Sequence, residues 1–188
     1  ILLRMGKLFE AKNILLEHTE KKVAVPDSHR EDKVLLSLIH IMNGEVKEAL
    51  STAEQGVQIG KEMNARFVEA VGYTRRGHAE LIAFPYDIEK AKSSFKRAIE
   101  LMEQVNVSRG KAEPFMGLVG VKARQGLYDE AVHYGLYALR ETEKVNDNWL
   151  SSLIHISIGI VYFYKQDREN CEKHIQSAMK LLHTCGDV

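Results

Sequence analysis

Apolar residues recur three and four positions apart along most of the chain, and two distant stretches share more than that rhythm. "GEVKEALSTAEQGV" (44–57) and "GLYDEAVHYGLYAL" (126–139) each start on glycine, reach Glu-Ala five residues later and continue with small residues at helical spacing. A three-and-four period marks amphipathic helices, whereas half-buried strands alternate. The pattern predicts A helices, the first of each pair, over about 30–42, 65–82, 110–125 and 148–165. The paired B helices are expected over about 45–62, 86–104, 127–145 and 168–184, after an orphan B helix near 7–21, about nine helices in all.

The small residue after the acidic pair falls at Ala11, Ala49, Ala91, Ala131 and Cys171, with spacings of 38, 42, 40 and 40. A fixed period near forty built from two amphipathic stretches is the mark of a helical solenoid. We therefore read residues 1–188 as one repeat domain, with a partial unit over 1–24 and full units over about 28–63, 64–105, 108–146 and 147–185. The small residue is expected where helix B crosses helix A, because close approach leaves no room for a long side chain. A second small position follows seven residues later at Ala98, Ala138 and Ala178, with Gly56 in that slot of the second unit. Gly44 and Gly126 stand where helix A must stop in a left-handed residue. "LIAFPYD" instead carries Pro85 and two extra residues, a local insertion.

Composition narrows the function classes. With 45% hydrophobic and 28% charged residues the chain has the make-up of a packed domain. Its 26 basic residues balance 26 acidic ones without a Lys/Arg block, so direct nucleic-acid binding is not expected. The apolar run "LIHISIGIVYFY" is too short for a bilayer, and no membrane contact is expected. Two cysteines, Cys171 and Cys185, lack the spacing of a disulfide framework, which favours a reducing, cytoplasmic setting. The start "ILLRMGKLFEA" lacks an initiator Met and begins within a helical pattern, so the chain reads as an excerpt of a larger protein.

No catalytic, cofactor or metal constellation is found. "GVQIGKEM" (56–63) has one residue too few between its glycines for a phosphate loop and no Ser/Thr after Lys61. His29 and His40 share the first full unit without metal-ligand spacing, His78 and His155 sit in two other units, and His174 with Cys171 makes only a lone pair on one helix face. Asp and Glu mostly alternate with Lys and Arg on solvated faces. Asn106-Val107-Ser108 matches a glycosylation sequon, but without a secretory signal it is read as an inter-repeat turn. The chain is therefore read as non-enzymatic, with no cofactor.

"IGIVYFYKQDRENCEKHIQSAMKLL" (158–182) places Gly159 and Tyr162 before a turn, then a small residue, an aromatic-type slot and Ala178. This layout resembles the tetratricopeptide repeat, with Gln166 in place of the turn glycine and Cys171 in place of the first alanine. "GLYDEAVHYGLYAL" matches the second half of the pattern, since Val119 and Lys122 occupy its helix A slots. The common repeat is 34 residues; the forty-residue form is similar to the MalT-like tetratricopeptide region of large bacterial transcriptional regulators. The resemblance implies an all-α fold, a right-handed α-solenoid of antiparallel helix pairs forming a tetratricopeptide-like superhelix whose A helices line a concave groove. Candidate groove residues are then Arg75, Arg76 and His78 in "YTRRGHAE", Lys122 and Arg124 on the next A helix, and Tyr164 in the last repeat.

Two functions follow from the resemblance. One is the ligand-sensing or regulatory arm of a transcriptional regulator, its groove taking a small effector or a neighbouring domain of the parent chain. The other is a protein- or peptide-binding scaffold, peptide-pheromone receptors being one variant. The orphan first helix, with Leu2, Leu3, Leu8, Phe9, Leu15 and Leu16, adds an expected self-association surface.

Overall fold

The computed structural model of the protein describes residues 7–20 and 30–185. Leu2, Leu3 and His29, named above, lie outside the described residues. Among the described residues nine helices follow in order: α1 (Leu8–Glu20), α2 (Asp32–Met42), α3 (Val46–Glu62), α4 (Arg66–Ile82), α5 (Ile88–Gln104), α6 (Ser108–Arg124), α7 (Tyr128–Glu143), α8 (Asn148–Tyr164) and α9 (Arg168–Cys185). Among the described residues there is no strand. Every helix expected from the periodicity is present, its ends within two residues of the sequence reading.

The helices form two compact units, Ile1–Leu101 and Met102–Val188. In the first, α1 packs on α2, α2 on α3 and α3 on α4, with α2 also beside α4. In the second, α6, α7, α8 and α9 pack in succession, with α6 beside α8. Short turns make successive helices antiparallel, and contact between alternate helices sets pair beside pair. Each unit is an all-α stack of antiparallel helix pairs, the arrangement of an α-solenoid.

Six of the turns share one hydrogen-bond device. In the A-to-B turns the Glu45, Leu127 and Asp167 amides donate to the His40, Lys122 and Tyr162 carbonyls at 2.8, 3.0 and 3.0 Å. In the B-to-A turns the Ala65, Val107 and Asp147 amides donate to Gly60, Met102 and Thr142 at 2.8, 3.3 and 3.2 Å. This six-to-one closure needs a left-handed residue just before the donor. Gly44 and Gly126 supply it with φ of 72° and 74°, and Asn64, Asn106, Asn146 and Gln166 with 51°, 52°, 52° and 59°. Asparagine tolerates this region better than most residues, so the sequon at Asn106 is a turn here. The α4–α5 connection departs from the device: Ala83 is extended, and the Asp87 carboxylate caps α5 by accepting from the Lys90 amide at 3.0 Å.

Close approach explains the small residues. Ala11, Ala49, Ala91 and Ala131 are buried, while Cys171 is half-buried. The Ser37 hydroxyl of α2 donates to the Ala49 carbonyl of α3 at 2.8 Å, so α2 and α3 nearly touch there. Ala98, Ala138 and Ala178 are also buried. In the second unit Ala112, Ala138, Leu139, Leu150, Ile154 and Ile158 form one apolar cluster, and Val119, Ala131 and Val161 another.

Candidate binding surface

Helix α4 places its three candidate groove residues differently. Gly77 lets α5 approach so closely that an added Cβ would meet the Phe95 ring at 2.7 Å. His78 rests edge-on against the same ring, with centroids 4.9 Å apart. Arg75 is buried. Arg76 reaches across both neighbours: Nη1 donates to Glu54 Oε2 of α3 at 3.1 Å, and Nε to the Ser94 hydroxyl of α5 at 3.0 Å. Its guanidinium also covers the Tyr73 ring at 4.6 Å. Ser94 in turn donates to Glu80 at 2.8 Å. Burial pushes the Glu80 carboxyl up, opposed by the Ser94 hydrogen bond and the Arg76 charge. Arg76 thus ties three helices together through polar contacts, and its side chain is only 28% exposed.

The second unit brings Lys122 and Tyr164 to one end, around the first turn of α7. Lys122 Nζ, at the end of α6, lies 2.7 Å from Glu130 Oε2, and Lys165 Nζ, just past α8, lies 2.5 Å from Asp129 Oδ1. Carboxylates in a first helical turn also face the positive end of the helix dipole. Tyr164 lies parallel to Tyr128 of α7, centroids 6.4 Å apart and planes 7° apart. Phe163 stands edge-on to Tyr164 at 5.9 Å. Phe163 is 70% exposed and Tyr164 59%. Arg124 is exposed, with Nη1 3.4 Å from the Gly120 carbonyl oxygen.

Tyr128 and Phe163 escape the sequence reading. The available signal was that the turn at "GLYDE" and the one at "YFYKQD" each carry aromatics next to an acid or a lysine. Elsewhere, a cleft of about 640 Å³ borders α1 and the α2–α3 turn, its lining including Phe9, Lys12, Leu16, Asn43 and Glu45. Among the described residues no group of three or more His, Cys, Asp or Glu could hold a metal ion, and no helix is long and apolar enough to cross a membrane.

No family model matches the sequence, and no curated protein matches it. Solved structures do match the fold. BtubC (BKLC) from P. vanneervenii superposes with a TM-score of 0.67 at 11% identity, over 96% of this chain and 73% of that one. The apo form of RapI superposes with a TM-score of 0.66 at 13% identity, over 100% of this chain and 81% of that one. The fold is tetratricopeptide-like. At such identities the likeness is one of architecture, and function has to be argued from the surface of this chain.

Proposed function

We propose that the chain is a non-enzymatic helical-repeat module that binds a protein or peptide partner. The observation that carries this reading is the Tyr128–Tyr164–Phe163 surface. Large rings left in water forgo the stabilisation of burial, about 2 kcal/mol for a fully buried side chain of this size. Here Tyr164 stacks on the half-buried Tyr128 and meets Phe163 edge-on, and the Lys122–Glu130 and Lys165–Asp129 pairs join the neighbouring helices to the same first turn of α7. Rigid amphipathic rings give contact area at low entropic cost and are enriched where proteins meet. The fitting partner inserts an apolar side chain beside Tyr164 and carries polar groups toward the two ion pairs.

A second reading, the ligand-sensing arm of a larger bacterial transcriptional regulator, is favoured by the long repeat: α3 to α9 each span 16 to 18 residues. Under it a small effector raises the unfolding temperature with no peptide present.

Selection of displayed random dodecapeptides on the folded chain, followed by calorimetry, tests the first reading. Selected peptides are expected to lose about tenfold or more in affinity for Tyr164→Ala and Phe163→Ser. Peptides that bind both variants as well as the parent chain overturn the assignment of this surface.

A further inference from the structure

His155 of α8 and His174 of α9 face one another across the seam between their helices, Nδ1 to Nδ1 at 2.9 Å, with ring centroids 5.0 Å apart. A neutral imidazole has one N–H and one acceptor nitrogen. The contact therefore requires opposite tautomers, one ring donating from Nδ1 and the other accepting there. We propose that this pair is a proton-sensitive latch on the last helix pair, closed while the two rings carry at most one extra proton and forced apart when both are imidazolium.

The proton count follows from the atoms. A first added proton takes the Nε2 of the donor ring and leaves the Nδ1–H···Nδ1 bond in place. A second has only the accepting Nδ1 to occupy, which removes the acceptor and sets two cations against each other. Both rings are half-buried, so neither is sealed from solvent.

The neighbours bias the pair toward losing protons. Tyr162 of α8 stacks on His174 at 5.5 Å, with Lys165 Nζ over the Tyr162 ring at 5.7 Å. Burial first, then the His155 and Lys173 charges, hold the His174 ring below the ordinary imidazole range. Burial lowers His155 as well, against the pull of the Glu143 carboxylate of α7. Helix α6 brings Ala112, Phe115 and Met116 to the apolar cluster beneath. Cys171, one turn before His174, is a free thiol. A histidine whose folded value lies below its unfolded one stabilises fully above the unfolded value, about 6.5, and loses that contribution as pH falls through the folded value. The latch thus weakens on the acid side of about pH 6.5. It is independent of whether a partner docks on Tyr164.

Long-range ¹H–¹⁵N spectra of the labelled full chain at pH 7.5 should show one of the two rings protonated at Nδ1 and the other at Nε2. Between pH 7.5 and 5, hydrogen-exchange protection of the α9 amides should fall at least about tenfold further than in the double variant His155→Gln, His174→Gln. Should that variant not fold, His155→Asn offers a non-titrating amide in the same place and should keep protection at pH 7.5 while losing the excess acid dependence. Both rings protonated at Nε2, or variant and parent pH profiles that coincide, overturn the latch.

Discussion

Gly60 of α3 and Glu69 of α4 meet with no space for a side chain between them: a Cβ on Gly60 would lie 2.4 Å from the Glu69 amide nitrogen and 2.6 Å from its Cα. The obstacle is backbone, so it cannot rotate away. The Gly60 carbonyl also accepts the Ala65 amide that closes the turn into α4. Gly60→Ala must part the two helices and should lose about 1 to 3 kcal/mol of stability, read as a lower urea midpoint. An unchanged midpoint would show that α3 and α4 separate at no cost.

Ala131 makes the same argument in the second unit. It is fully buried and clusters with Val119 of α6 and Val161 of α8. Ala131→Leu adds three carbons at the point where α7 is pressed between its neighbours and should cost about 1 to 3 kcal/mol. Thermal unfolding of the variant beside the parent chain decides it.

The turns allow a test of opposite sign at equivalent positions. A Cβ at Gly126 would meet nothing within 4 Å, so Gly126→Ala carries no steric clash, and its net loss of about 1 kcal/mol is the left-handed backbone cost less what the stiffer unfolded chain returns. Gln166 holds the equivalent turn at φ of 59° with a full side chain. Gln166→Gly removes that strain but adds freedom to the unfolded chain, which offsets roughly half of the gain. A net stabilisation of a few tenths to about 1 kcal/mol is expected from chemical unfolding. Destabilisation of Gln166→Gly would mean that the glutamine side chain contributes more than its backbone costs.

Gly44, Gly126 and the small residues at Ala49 and Ala131 made the fold legible, because each is dictated by local geometry that repeats with the chain. A left-handed turn and a tight crossing leave few residue choices, and the choices recur at the repeat period. The surface carries no such constraint. Tyr128 and Tyr164 meet only because of the register between two adjacent helix pairs, which neither local sequence encodes. His155 and His174 depend on the angle at which each leaves its own helix, so spacing along the chain separates them while the hairpin unites them. Arg75 and Arg76 are adjacent in sequence and differ in fate because α4 is flanked by α3 and by α5: one side chain is buried, and the other bridges both neighbours.

Glu45 anchors α1 to the turn after α2, and its ionisation should be visible in acid. Its carboxylate accepts from Lys12 Nζ at 2.8 and 3.1 Å and contacts His40 Nδ1. The Lys12 hydrogen bond first, then that of His40, lowers its pKa from 4.5 to about 2. Since the folded value lies below the unfolded one, the stabilisation is complete above about 4.5 and disappears as pH falls toward 2. Glu45→Gln should therefore unfold at a lower temperature than the parent at pH 6, with the gap closing between pH 4.5 and 2. A gap that stays constant across that range would mean that the carboxylate charge contributes nothing to holding α1.

Helix α1 carries the apolar surface on which the expected self-association rests. Phe9 is 76% exposed and Leu16 41%, and two turns of helix apart they lie on the same face, beside the cleft that Lys12, Asn43 and Glu45 help to line. Apolar side chains in water at the edge of a concave surface favour a second apolar face over solvent. Burying one such ring contributes about 1.5 to 3 kcal/mol, enough to move an association constant roughly tenfold to a hundredfold. Sedimentation velocity over a concentration series should show reversible dimerisation of the parent chain, weakened by at least about tenfold in Phe9→Ser. Because Phe9 makes little contact within its own chain, the variant should keep the parent unfolding temperature, which separates lost association from lost folding. A monomer at every concentration in the parent chain, or equal dimerisation in the variant, would remove α1 as the associating surface.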